Sequence, residues 1–176
     1  MSERTNNFDR KIDLVEIVDY TRLVSELALI ENQSAYFCNV HMLMLSQEDK
    51  TLADAMDSAD WVFADSAPVA WLQRRVSGKD AKVIPGYKIM LAIFERAVKN
   101  AEKVGFIGST PEVMSHLVAN LRQRFEGLQI SYEYCPPFMA GQLVSTKEEI
   151  AAINESGINW LFVGLGCPKQ EKWIAT

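Results

Sequence analysis

Short apolar runs recur along this chain, and nearly every one is followed by a stretch with helical spacing. Residues 35–38, 60–64, 103–107 and 159–163 are apolar at almost every position. Runs of this kind belong to strands buried on both faces. Between them, residues 20–31, 67–76, 87–101, 111–125 and 145–157 place apolar side chains three and four apart, as amphipathic helices do. Two further runs, 12–18 and 128–134, alternate apolar with polar and read as half-buried strands. Strands covered on both sides need helices on both sides. The expected fold is therefore α/β, a single doubly wound, mostly parallel sheet of Rossmann-like βα units. The punctuation agrees: Thr110 with Pro111 is an N-cap followed by proline, Ser145 and Glu148 have capping-box spacing, and Gly157 closes a helix.

Length sets the number of domains. The 176 residues suit one domain, 1–176, large enough to bury its core without staples. Cys38, Cys135 and Cys167 are odd in number and widely spaced, which points to reduced thiols. His41 and His116 are the two histidines, too few for a structural zinc site, and no metal is expected. The net charge of -5 argues against nucleic acid as a partner. No apolar stretch reaches the length of a membrane span, and the first 13 residues lack the apolar region of a signal peptide. A cytoplasmic chain that meets membranes peripherally is the expectation. Met42, Met44 and Met56 read as core.

In parallel α/β sheets, ligands bind beyond the carboxyl ends of the strands, so the polar residues just after each strand are the candidates. Asp65 ends one strand and opens a helix. It reads as a helix cap on local pattern, with a general base as the functional alternative, and Ser66 stands beside it. Gly108 and Ser109 form a strand-to-helix turn that lets backbone N–H groups approach an anion. Asn39 and His41 follow another strand; the first can satisfy backbone groups, the second can donate to phosphate. Pro137 follows the 128–134 strand. The most unusual stretch runs from Gly164 through Gly166, Lys169, Gln170 and Glu171. Its glycines keep side chains away from a ligand, Lys169 can neutralise a phosphate, and Gln170 can donate and accept. A dinucleotide-binding oxidoreductase is disfavoured, because the Gly-rich fingerprint is missing.

That last stretch, continued to Trp173 and Ile174, resembles the PKQE signature of the WecG/TagA/CpsF glycosyltransferases, glycosyltransferase family 26. Asn39, the run from Ser58 to Asp65, Gly86 with its following helix, and Phe106 to Ser109 are similar to other landmarks of that family, in the same order. The resemblance covers about residues 12–176. It implies transfer of N-acetylmannosamine, its uronic acid or another hexose from a UDP-sugar, with no further cofactor. The acceptor it implies is a polyprenyl-diphosphate-linked glycan at the inner face of the plasma membrane, in cell-surface polysaccharide synthesis. Asp65 would be the general base of an inverting reaction. Asn39, His41, Ser66, Gly86, Gly108, Ser109, Pro137, Gly164, Gly166, Lys169, Gln170 and Glu171 would bind substrate. Family members continue beyond the PKQE motif, so the chain is expected to lack a C-terminal membrane-docking segment and to self-associate through surface left open. A nucleotide-sugar-binding module without turnover is the alternative expectation.

Overall fold

The computed structural model describes residues 3–7, 9–137 and 145–176. The chain divides into two compact units, Met1–Met90 with Ala175 and Leu91–Ile174 with Thr176.

The first unit holds β1 (Glu3–Asn7), β2 (Arg10–Leu14), α1 (Tyr20–Leu27), β3 (Ala35–Cys38), α2 (Val40–Leu45), α3 (Lys50–Ser58), β4 (Trp61–Ala64) and α4 (Ala67–Ser77). The first turn of α5 (Gly86–Asn100) also belongs to it. Its sheet runs β1-β2-β4-β3. β1 is antiparallel to β2, and the other pairs are parallel. Val62 and Phe63 of β4 are wholly buried, as a central parallel strand requires. The helices α1, α2 and α3 each carry a start signal: Asp19, Asn39 and Asp49 accept from backbone N–H groups three residues on. α4 stops at Gly78, whose φ of +71° is the left-handed conformation glycine adopts without penalty.

The second unit holds the rest of α5, then β5 (Lys103–Gly108), α6 (Pro111–Arg124), β6 (Gln129–Tyr134), α7 (Lys147–Ser156), β7 (Trp160–Gly164) and α8 (Lys169–Ile174). Its sheet, β6-β5-β7, is parallel throughout. Phe94, Phe106, Phe125 and Phe162 form its aromatic core; Phe94 meets the other three at centroid distances of 5.2–6.1 Å. Such tilted and edge-to-face contacts add to simple burial.

The mostly parallel α/β expectation holds, with the strands in two sheets instead of a single one. Apolar periodicity identifies strands but does not say which of them pair. Four local expectations need correction. β1 was not expected, because its polar sequence has no apolar alternation. The 12–18 run is not a half-buried strand: β2 ends at Leu14, and Ile12, Asp13 and Leu14 are all buried. Asp13 is tolerated there because its Oδ2 accepts from Val62 N at 2.7 Å. The capping box lies one residue later, between Thr146 and Glu149, while the Ser145 hydroxyl pairs with that of Thr176. Met42 and Met56 are core, but Met44 is exposed on the outer side of α2.

Candidate functional site

Two groups of the expected residues are built, one in each unit. In the first unit, β3 and β4 end in register, Cys38 opposite Ala64. The residues that follow, Asn39 and Asp65, therefore emerge side by side, and Asp65 N donates to Cys38 O at 2.9 Å. The loop after α4 returns over this end, with Ile84 N donating to Ala64 O at 2.7 Å. That return delivers Gly86, whose N–H donates to Asp65 Oδ1 at 2.9 Å. Gly86 packs so closely on the Phe37 ring that a Cβ there would lie 3.0 Å from Cγ. The half-buried Asp65 carboxylate thus sits at the first turns of α4 and α5, where two positive helix ends converge. One of its oxygens is fixed by Gly86.

The neighbours divide between structural and open roles. Asn39 Oδ1 accepts from Met42 N at 3.0 Å and caps α2. His41 stands one residue into that helix with an exposed side chain. Ser66 occupies the N-cap position of α4 in extended conformation but makes no side-chain cap bond. Its hydroxyl oxygen is buried and has no partner among the described residues. Sequence reasoning singled out Gly86 and Asp65 separately. It missed that they bond to one another, because a contact across 21 positions leaves no local signal.

In the second unit, Gly108 and Gly164 end β5 and β7 as register partners. A Cβ on Gly108 would collide with the carbonyl of Gly164. Gly108 has φ +127° and Ser109 φ +63°, so the chain turns through two positive-φ residues into Thr110, the cap of α6. A non-glycine residue held in that region costs about 1–3 kcal/mol. Gly166, with φ +80°, opens the second turn, and Cys167–Pro168 is a cis peptide. Gln170 holds this turn in shape: its Oε1 accepts from Gly166 N at 3.0 Å, and its Nε2 donates to Glu171 Oε1 at 2.8 Å. Glu171 is buried and Lys169 half-buried. Side-chain-free strand ends of this kind leave room for a phosphate to reach backbone N–H groups. Pro137 follows β6 and is exposed.

The sequence pattern of the glycosyl transferase WecG/TagA/CpsF family matches residues 5–176. Among individual relatives, the chain is 25% identical over 189 residues to an N-acetylglucosaminyldiphosphoundecaprenol N-acetyl-beta-D-mannosaminyltransferase of Staphylococcus aureus strain NCTC 8325 / PS 47. The match takes in 100% of this chain and 70% of the relative. The enzyme of the same name from strain MRSA252 is 24% identical, with the same shares of each chain. Parallel βα units, glycine-lined strand ends and a family pattern that spans almost every residue agree: the chain belongs to the WecG/TagA/CpsF family of glycosyltransferases.

Proposed function

We propose that this chain transfers N-acetylmannosamine, its uronic acid or another hexose from a UDP-sugar to a polyprenyl-diphosphate-linked glycan. The reaction serves cell-surface polysaccharide synthesis, takes place peripherally at the inner face of the plasma membrane, inverts the anomeric centre and uses no resident cofactor. The observation that carries this reading is the Asp65 carboxylate at the β4 end. Its Oδ1 is held by the Gly86 N–H, and its Oδ2 has no hydrogen-bond partner among the described residues. In the proposed step, Oδ2 takes the proton of the acceptor hydroxyl as that oxygen forms a bond to the anomeric carbon. The bond from the anomeric carbon to the diphosphate oxygen breaks on the opposite side, and the electron pair leaves with UDP. Taken by itself, the second unit offers the backbone N–H groups of the Gly108–Ser109 and Gly164–Gly166 turns, with Lys169, as the groups proposed to bind a diphosphate.

Calorimetric titration with UDP, UDP-N-acetylmannosamine, UDP-glucose and NAD, paired with an assay of UDP release in the presence of a polyprenyl-diphosphate acceptor, tests the reading. Binding of UDP species but not NAD, together with acceptor-dependent release, is expected. UDP binding without release would favour the non-catalytic nucleotide-sugar module. Binding of NAD alone would contradict both.

A further inference from the structure

The charge of this chain is segregated in a way that its total conceals. Residues 1–65 carry thirteen acidic and five basic side chains. Residues 66–90 carry five basic ones, Arg74, Arg75, Lys79, Lys82 and Lys88, against Asp80 alone. This cationic stretch is α4, the loop after it and the first turn of α5.

The same stretch exposes large apolar side chains. α4 buries Val69, Ala70 and Gln73 on one side. At 100° per residue, Pro68, Trp71 and Arg75 fall on the opposite side. Trp71 is 59% exposed, Val76 56% and Tyr87 57%. Lys88 stands 5.2 Å from the Tyr87 ring centroid. The loop is tied to the helix, because Arg74 Nη1 donates to Ala81 O. The Asp65–Gly86 bond then places the start of α5 at the start of α4. Trp71 lies about 8 Å along the helix axis from the Ser66 cap. An exposed tryptophan and tyrosine interleaved with lysine and arginine have the chemistry of a lipid headgroup boundary. The positive sign of the patch complements an anionic leaflet, and the acidic remainder of the chain would be repelled from it.

We infer that the outer face of α4, with the segment through Lys88, docks the chain onto an anionic lipid surface and brings the Asp65 strand end to it. The inference rests on the proposed lipid-linked acceptor, which would reach Asp65 from that surface. It commits this face to lipid and not to a second copy of the chain.

Flotation with vesicles of phosphatidylglycerol and phosphatidylcholine, compared with phosphatidylcholine alone, tests it. Wild type, Trp71→Ala, Arg75→Glu and Lys88→Glu are compared at matched melting midpoints. Arg75→Glu and Lys88→Glu, both on exposed positions, keep the test open if Trp71→Ala does not fold. Wild type is expected to float with the anionic vesicles only. Each charge reversal changes the patch by two charges, so affinity should fall by at least about fivefold per variant and weaken further with added salt. UDP affinity, measured on the same samples, should not change. The inference is overturned if wild type ignores anionic vesicles, or if the variants float as wild type does. It is also overturned if sedimentation finds a dimer that Trp71→Ala dissolves. A wild type that floats but neither binds nor releases UDP would count against the proposed function and leave the docking face standing.

Discussion

The two units use the same strand–helix repeat and finish it differently. In the first, β4 is buried beyond its first residue and β2 over Ile12–Leu14, and polar groups are taken inside and bonded: the Asp13 carboxylate accepts from Val62 N, and Gln73 Nε2 donates to the carbonyls of Ile12 and Asp13. In the second, only the central strand β5 is buried to that depth. β6 alternates between exposed and half-buried positions, no residue of β7 is fully buried, and α7 buries none. What distinguishes the second unit is backbone conformation at the strand ends, in Gly108, Ser109 and Gly166. Buried, bonded polar groups hold a side chain in one place, which suits a residue such as Asp65. Open, glycine-lined ends suit a ligand that must come and go.

Three experiments probe that contrast. The largest effect is expected from Gly108→Ala. The new Cβ meets the Gly164 carbonyl and sits at a positive φ, and backbone cannot yield as a side-chain tip can. A loss of about 3 kcal/mol or more in denaturant unfolding is expected; a loss below 1 kcal/mol, against the ~1–3 kcal/mol that strain alone costs, would break the claim that backbone geometry sets this unit. Asp13→Ala comes next. It strips the buried Val62 N–H of its acceptor and should cost about 2–3 kcal/mol. Neutral behaviour would mean that the inward polar groups do not hold the first unit. The smallest effect is a difference in hydrogen exchange. Amides of β7 should exchange at least about tenfold faster than those of β4, since protection follows burial and packing. Equal protection would erase the comparison.

Much of the fold was legible in the residues. Ala35–Cys38 was placed to the residue, and β4, β5, β7 and α4 to α6 within about two, because buried parallel strands leave unbroken apolar runs and helix caps leave local signals. β1 escaped, since a strand held by backbone pairing to β2 needs no apolar pattern. Asp13 was misplaced because alternation along a strand assumes that polar means outward, and a bonded carboxylate breaks that rule. The division into two sheets was illegible, as pairing is decided by contacts distant in sequence. Of the candidate residues, Asp65, Gly108 and Gly164 were found from their position after strands. The Gly86 N–H that fixes Asp65 and the cationic, aromatic outer face of α4 depend on three-dimensional neighbours.

The role of Asp65 is tested most directly by Asp65→Asn. The asparagine keeps an oxygen for the Gly86 N–H and removes the proposed base. Turnover and UDP affinity should be measured on the same preparation. Turnover is expected to fall by about 10²–10⁴-fold with UDP affinity and melting midpoint unchanged. Retained turnover would contradict the assignment of the base to Asp65, and a loss of UDP affinity in step with turnover would make Asp65 a donor-binding residue instead.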